Sequence, residues 1–417
     1  MKDGNTELVQ AKVLDIESIR EQFPILDQEV NGKPLVYFDN AASSQKPQQV
    51  LAAINKYYTK DHSNIHRGIH TLAERATRAY EDSRVKAKTL VNAKESAEII
   101  FTKGTTESLN LVASSYGGKF IKSGDHILVT TMEHHSNIVP WQMLCQQTGA
   151  ELKVIPINKN GEVRMNEYEA MLSDKTKLVS VVHASNSLGT INPIKQMIAM
   201  AHSYGAIAVI DGAQAAPHLP IDVQDFDCDF YALSAHKMYG PTGVGLLFGK
   251  RQLLEAMPPY QGGGEMIKQV SFKETTYNDI PHKFEAGTPN IADVVAFSEA
   301  IAFIEDLGKP AMAAYEKELL NYAEEELIKI DGFQPIGTAD QKVSVLSFLI
   351  DGIHPYDLGV MLDAKGIAVR TGHHCTEPLM NFLSIDGTVR ASFAVYNTKT
   401  EIDQLVEGLK QIKKMIG

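Results

Sequence analysis

The sequence predicts an α/β protein built on a mostly parallel sheet, with a second, smaller α+β unit behind it. Three observations carry that expectation. From about residue 35 to 250, short apolar runs alternate with helical stretches, the pattern of strands covered on both faces by crossover helices. A Gly- and Pro-rich stretch at 258–290 interrupts the alternation, and a further set of strands and helices follows it. A chain of 417 residues is also long for one compact core. Two domains are therefore expected, a large one over 26–300 and a small one from 1–25 and 301–417.

Taken in order, residues 98–102, 126–131, 152–157, 178–183, 206–210, 230–233 and 244–248 read as strands, and 71–91, 106–116, 135–147 and 194–204 as helices. Pro258-Pro259, Gly262-Gly263-Gly264 and Gly287-Thr288-Pro289-Asn290 mark a long loop. Loops of that length in compact proteins are usually functional or touch another chain. Residues 291–307 and 311–330 then read as long helices. Strand 343–350, helix 356–365, strands 367–370 and 389–395 and helix 401–415 complete the chain.

Composition narrows the function. A hydrophobic fraction of 44% and a charged fraction of 22% are those of a soluble globular protein. No apolar run approaches the roughly 20 residues that span a bilayer, and Met1-Lys2-Asp3-Gly4-Asn5 has no signal-peptide core. A net charge of -11 argues against a general nucleic-acid binder. Three scattered cysteines make neither a disulfide framework nor a CxxC metal site. The expectation is a protein of the reducing cytoplasm, where a lone thiol can be chemistry.

The most informative residue is Lys237, in Ser234-Ala235-His236-Lys237 directly after the run 230–233. Desolvation at a strand end favours a neutral, nucleophilic amine, the state a Schiff base needs. Asp211 closes the run 206–210. In parallel sheets ligands bind beyond the carboxyl ends of the strands, so Lys237 and Asp211 should face one crevice. A lysine for an aldehyde and a carboxylate for a pyridinium nitrogen suit pyridoxal 5'-phosphate; on position alone Asp211 also reads as a turn residue. Gly104-Thr105-Thr106-Glu107 follows a strand and opens a helix, a phosphate cradle to which Ser234 and His236 add donors. Glu107 reads as first-turn charge. Gln214 can reach the ring's phenolic oxygen, and Asn186 either approaches the ring or is a turn asparagine.

His134 and His135 follow the strand at 126–131. One imidazole can stack on the pyridine face, whereas adjacent helical positions point about 100 degrees apart and disfavour shared metal ligation. His62, His66 and His70 recur every four residues, so they can line one helix face, but no H-E-x-x-H pattern accompanies them. His66 and Arg67 read better as contacts to a substrate carboxylate, and no metal is expected. The second cluster is Arg370-Thr371-Gly372-His373-His374-Cys375. Arg370 and the two histidines supply the cations that make a thiol nucleophilic. Cys145 and Cys228 lie in apolar stretches and read as inert. Arg370 and Arg390 can each clamp a carboxylate through two parallel hydrogen bonds. The flanking Val389 and Ala391 suggest that Arg390 is partly buried and needs an anion.

Together these motifs resemble the group II, SufS-type cysteine desulfurases, which depend on pyridoxal phosphate and are class-V aminotransferase-like. The resemblance rests on Asp39-Asn40-Ala41-Ala42, Asn64-Ile65-His66-Arg67-Gly68, Glu133-His134-His135-Ser136-Asn137, Asp211-Gly212-Ala213-Gln214 and Ser234-Ala235-His236-Lys237, and more specifically on Arg370 to Cys375 with Val389-Arg390-Ala391-Ser392. It implies fold type I (aspartate aminotransferase-like) and a homodimer with active sites near the subunit interface. It implies that Lys237 carries the cofactor, Asp211 pairs with the ring nitrogen, Gln214 with the phenolic oxygen, and His134 stacks. Thr105, Thr106, Ser234 and His236 would hold the phosphate, with Thr288 from the other subunit. Arg390 would bind the carboxylate of L-cysteine, Arg370 would line the site, and Cys375 would carry a persulfide. The implied product is L-alanine, the acceptor a small SufE-like or SufU-like carrier, and the destination iron–sulfur cluster assembly through a SUF system. The rivals are a selenocysteine lyase acting on L-selenocysteine, an aminotransferase or epimerase on the same fold, and a catalytically silent scaffold. Residues 380–388 match no family pattern closely.

Overall fold

The structure, a computed structural model, describes residues 13–416. The polar N-terminal pentapeptide and the first part of the segment assigned to the small domain lie outside the described residues. The apolar runs become one seven-stranded sheet. Across it lie Ile99–Thr102, Gly245–Gly249, Phe230–Ser234, Ile207–Asp211, Thr176–Val182, His126–Thr130 and Glu151–Ile155. Gly245–Gly249 runs antiparallel to both neighbours. The pairings among the five strands from Phe230–Ser234 to Glu151–Ile155 are parallel, as expected.

Strand periodicity of two sorts the side chains onto two cores. In Phe230–Ser234 every residue is buried. Tyr231 and Leu233 join the core that includes Ile210, Val181 and Leu246, against residues of helices Thr71–Leu90 and Ile291–Leu307. Phe230 and Ala232 join the opposite core with Val209, Leu247, Leu109 and Trp141. Each fully buried large apolar side chain contributes roughly 1.5–3 kcal/mol, so the central strands are fixed in register from both faces.

The C-terminal part builds a second sheet, antiparallel, in the order Phe333–Ile336, Val345–Ile350, Thr388–Ser392, Arg370–Gly372. Its own core takes Leu319, Leu320, Leu358, Leu362, Leu405 and Leu409 from helices Lys309–Leu327, Pro355–Asp363 and Lys399–Ile416. The segment Ile16–Arg20 and Phe23 touch both parts. Phe23 packs on Tyr239 and Phe303 and, at 4.6 Å between ring centroids, on Tyr396. Arg20 bonds the Tyr396 carbonyl and Glu401.

Several expected elements are divided. The stretch read as one helix from 135 is a 3-10 turn, His135–Asn137, followed by helix Val139–Thr148. Pro140 stands in the first turn of that helix, where its missing N–H costs nothing, and it disfavours helical geometry just before it. The expected strand 367–370 splits. Ile367–Ala368 pairs with Val36–Tyr37, while Arg370–Gly372 pairs with Thr388–Ser392. The long loop contains a hairpin, Ile267–Val270 with Thr275–Tyr277, and Phe272 is fully exposed in its turn.

Candidate active site

The parallel strands end on one side of the large sheet, facing the second sheet. Between them lies a cleft with about 220 Å³ of free volume. The large sheet contributes Thr105, Thr106, His134, Asn186, Asp211, Gln214, Ser234, His236 and Lys237 to its lining; the other wall supplies Arg370, His374, Cys375 and Arg390. Twelve of the fifteen residues singled out from sequence therefore converge.

Lys237 ends the short turn Ala235–Lys237 that follows Phe230–Ser234. The turn is anchored through the His236 carbonyl, which accepts from Ser44 N at 3.1 Å and Lys46 Nζ at 3.3 Å. Burial lowers the Lys237 pKa to about 8; Asp211 opposes that shift, and Arg390 adds to it. About a tenth of the amine is therefore neutral at pH 7, far more than for an ordinary lysine. Asp211 is the last residue of its strand, in register with Ala232 and Val182. Its Oδ1 accepts from Ala213 N at 2.9 Å. Burial raises its pKa, while that bond and Lys237 hold it down.

His134 caps the turn His135–Asn137. Its Nδ1 accepts from Ser136 N at 3.0 Å, so the ring proton sits on Nε2. Burial, followed by the charge of Lys237, pushes its pKa down to about 3, and the ring is neutral. Beside it, Glu133 is fully buried and accepts from Thr130 Oγ1, Asn137 Nδ2 and Val182 N at 2.6, 2.6 and 3.0 Å. Burial pushes this carboxyl up to about 8. The sequence named Glu133 only within a motif and gave it no role; its signal was a carboxylate between a strand end and a histidine pair.

At the other end of the cleft, Gly104 adopts φ +151, and a Cβ there would stand 3.3 Å from Ser234 Oγ. Thr105 N and Thr105 Oγ1 each lie 2.9 Å from that hydroxyl, and Thr106 Oγ1 lies 2.7 Å from Ser136 Oγ. Burial lowers the His236 pKa to about 4. Glu107 accepts from Lys103 N at 2.6 Å, a first-turn role as expected.

Cys375 is exposed, whereas Cys145 is half-buried and Cys228 buried. Cys375 and His374 adopt φ +57 and +53, two consecutive left-handed residues. Their loop is pinned at several points. His135 N donates to the Cys375 carbonyl and Asn186 Nδ2 to the His374 carbonyl, each at 2.8 Å. His374 Nε2 lies 2.7 Å from Thr388 Oγ1. His374 is not the cation that the sequence led one to expect. Burial and the nearby arginines push the His374 pKa to about 2, so that imidazole is no cation for the thiol.

Arg390 is 2% exposed. Its Nη2 donates to Asp39 Oδ1 at 3.0 Å and its Nη1 to the Asn186 carbonyl at 2.9 Å, while its Nε has no partner. Arg370 donates to the other Asp39 oxygen at 3.3 Å. Asp39 was legible only as part of a motif, not as the counter-ion of two arginines.

Three expected residues lie elsewhere in this chain. His66 pairs with Glu81 at 3.0 Å and Arg67 with Glu265 at 3.2 Å, so carboxylates of the chain itself occupy both. Thr288 lines a separate depression with Lys103, Glu107 and Tyr260. The 62–70 stretch is a loop rather than a helix: His66 has φ +67 and His70 caps Thr71–Leu90. His66, Glu81 and His282 do place ligand atoms within 4.8 Å of one another, but Glu81 is also bound by Arg84 at 2.9 Å.

The cleft fits pyridoxal phosphate. It has hydroxyl donors at one end, a buried carboxylate at the other and a depressed-pKa lysine between them. Three of its lining residues keep buried polar atoms without partners, namely Gln214 Oε1, His374 Nδ1 and Arg390 Nε.

Residues 36–405 match the class-V aminotransferase family. The chain is 48% identical to a probable cysteine desulfurase of Halalkalibacterium halodurans over 404 residues, covering 97% of this chain and 99% of that one. It is 50% identical to a probable cysteine desulfurase of Staphylococcus epidermidis over 404 residues, 97% of this chain and 98% of the other. Among solved structures, the cysteine desulfurase CsdA (S-sulfonic acid) from Escherichia coli superposes with a TM-score of 0.91 at 38% identity, over 97% of this chain and 100% of that one.

Proposed function

The chain belongs to the class-V aminotransferase family, and we propose that it is a cysteine desulfurase of the group II, SufS type, converting L-cysteine to L-alanine with a persulfide on Cys375. Its fold is type I, aspartate aminotransferase-like, and its cofactor is pyridoxal phosphate. The observation that carries the residue assignment is one cleft holding Lys237, Arg390 and the exposed thiol of Cys375.

When bound, pyridoxal phosphate supplies an aldehyde for amines and an electron sink for the substrate α-carbon. Lys237 provides the amine that holds it and then moves the α-proton, work suited to a pKa near 8. The Asp211 carboxylate would keep the ring nitrogen protonated, Gln214 would serve the phenolic oxygen and neutral His134 would stack on the ring. Thr105, Thr106, Ser234 and His236 would take the phosphate, with Thr288 added by a second subunit of a homodimer. Arg390 binds the substrate carboxylate, with Arg370 beside it and Asn186 placing Arg390 through its carbonyl. His66 and Arg67 would reach substrate only from the neighbouring subunit of such a dimer. The Cys375 thiolate attacks the substrate sulfur: an S–S bond forms, the Cβ–S bond breaks, and the electron pair returns to carbon, which is protonated to give alanine.

The acceptor is a small SufE-like or SufU-like carrier feeding iron–sulfur cluster assembly in the cytoplasm. The division into a large unit, 26–300, and a small one, 1–25 with 301–417, puts the thiol loop and the cofactor lysine on different units. No described helix is long and apolar enough to cross a membrane.

The test uses two variants. Lys237→Ala should lose the bound-cofactor absorbance and all turnover. Cys375→Ser should keep the absorbance and accumulate no persulfide from cysteine. Persulfide transfer to a carrier at the wild-type rate by the serine variant would remove Cys375 from the scheme. Alanine release from selenocysteine, unchanged by that substitution and far faster than from cysteine, would instead favour a selenocysteine lyase.

A further inference from the structure

Behind Gln214 stands a buried row of polar side chains that the scheme above does not use. Gln214 and His218 lie one turn apart, with Gln214 Nε2 and His218 Nε2 at 3.1 Å. The other ring nitrogen, His218 Nδ1, lies 2.6 Å from Glu316 Oε2, on helix Lys309–Leu327. The three residues are 2%, 6% and 2% exposed. Ser344 Oγ approaches His218 Nδ1 at 3.4 Å but already donates to the Phe393 carbonyl at 2.8 Å. Among the described residues, Lys309, Tyr239 and Tyr396 are the further charged or titratable groups that interact with Glu316. Lys309 donates to the Ala216 and Leu219 carbonyls, which flank His218 in sequence.

The donor count has a consequence for the cleft. A carboxylate only accepts, so His218 Nδ1 carries a proton toward Glu316. If the ring is neutral, Nε2 must accept. Gln214 then gives it the amide NH₂ and turns its own carbonyl toward the cleft, where Oε1 finds no donor. If the ring is an imidazolium, Nε2–H donates. Gln214 then offers its carbonyl to His218 and turns its NH₂ toward the cleft. The two ends of an amide are nearly the same shape, so the charge on His218 alone selects which end faces a ligand. The cofactor's phenolic oxygen is an acceptor when ionised and requires the NH₂. A buried imidazolium is tolerable where a carboxylate stands at hydrogen-bond distance, as Glu316 does.

We propose that Glu316 and His218 form a buried imidazolium–carboxylate pair that turns the Gln214 NH₂ toward the cofactor's phenolic oxygen, which makes them positioning residues that set the proton affinity of the bound cofactor. The inference rests on the pyridoxal phosphate reading. A donor on the phenolic oxygen stabilises its negative charge and lowers the pH at which the cofactor's shared proton is lost. Without the pair, the Gln214 carbonyl faces that oxygen and raises the pH.

The experiment is a pH titration of cofactor absorbance in loaded wild type, Glu316→Gln, Gln214→Ala and the double variant. Glu316→Gln should raise the midpoint by about one unit, a tenfold change in proton affinity. Gln214→Ala should also raise it, and Glu316→Gln should add nothing on that background, because it acts through the missing amide. A loaded Glu316→Gln with the wild-type midpoint, or a shift that persists in full without Gln214, overturns the inference. Nitrogen NMR of histidine-labelled, loaded wild type decides the matter should Glu316→Gln fail to fold. Both His218 nitrogens protonated at neutral pH is the expected result, and an unprotonated Nε2 overturns it. A wild-type protein that takes up no pyridoxal phosphate fails earlier, at the cofactor reading, and carries the inference down with it.

Discussion

Arg370 and Arg390 are direct partners in the antiparallel register of Arg370–Gly372 with Thr388–Ser392. Like charges facing across strands destabilise a sheet, and Asp39 answers both, with one oxygen 3.0 Å from Arg390 and the other 3.3 Å from Arg370. Asp39→Asn keeps the shape and one acceptor but removes the charge. At about 4 Å and an effective dielectric of about 20, the lost attraction for buried Arg390 is about 4 kcal/mol. That agrees with the roughly 3–5 kcal/mol seen when a buried pair loses one member. The retained amide carbonyl returns about 1 kcal/mol, leaving a cost of about 3 kcal/mol. With an unfolding entropy of roughly 2.1 cal/mol/K per residue, a chain of this size should melt about 3–4 °C lower. If Arg390 is also the carboxylate site, an amino-acid ligand replaces the missing anion. L-alanine should therefore raise the melting temperature of Asp39→Asn more than that of the wild type, and alaninamide, which lacks the carboxylate, should not. Calorimetry with each ligand measures both parts. A variant as stable as wild type, or one in which alanine and alaninamide act alike, would refute the reasoning.

Other outcomes follow from the same geometry. His183, with Nδ1 3.0 Å from Tyr231 OH, is pushed by burial to a pKa of about 4, as His236 is, while His134 is pushed to about 3. A base depressed in the fold contributes stability that is fully present above its unfolded pKa, about 6.5, and is lost as pH falls toward the folded value. Melting temperature should thus drop steadily from pH 6.5 to 4, with His183 alone accounting for about 3 kcal/mol; a flat profile over that range would contradict it. Glu133, raised to about 8, acts in the opposite sense. Its contribution is full below about pH 4.5 and fades as pH rises through 8, so stability should also decline from pH 6 to 9. Gly212→Ala would set a Cβ 2.0 Å from the ring of Tyr231, which is fully buried. It should destabilise the fold by about 1–3 kcal/mol and weaken cofactor retention at Asp211, read by melting and by absorbance after dialysis. Thr388→Val removes the hydroxyl beside His374 Nε2 and should cost about 1–3 kcal/mol for the stranded ring nitrogen. It should slow persulfide formation about tenfold by loosening the Cys375 loop, with the cofactor absorbance unchanged.

The fold and the large-sheet side of the cleft were legible because their signals are local. An apolar run that ends in Asp211, or in Ser234 and Lys237, identifies the strand and its functional end at once, since parallel strands deliver whatever follows them to the same edge. Helix boundaries were less legible where one residue decides them. Pro140 starts a helix rather than continuing one, and Gly117 lies where a Cβ would stand 2.3 Å from Leu144, in a π-helical stretch that the 3.6-residue pattern does not announce. The spacing of His62, His66 and His70 misled for the same reason in reverse: a four-residue repeat is also compatible with a loop, and the left-handed backbone of His66 decides for the loop.

What stayed hidden is charge pairing over long separations. Val389-Arg390-Ala391 says that an arginine is buried in a strand and therefore requires an anion, but the sequence offers 51 acidic residues and no means of choosing among them. The partner is Asp39, 351 positions away, brought there because Val36–Tyr37 pairs with Ile367–Ala368 and Asp39 with Ser392. His218 meets Glu316 over 98 positions in the same manner. In both cases a buried ion is tolerated only because the backbone brings its counter-ion into the core. The pairing is thus a property of the assembled sheets and helices, and each such pair ties one wall of the cleft to an element outside it. The wall that carries Lys237 leans on helix Lys309–Leu327 through Gln214 and His218, and the wall that carries Arg390 leans on the Val36–Tyr37 edge through Asp39. Substitutions at Asp39 or Glu316 should therefore register at the cleft before they register anywhere else in the fold.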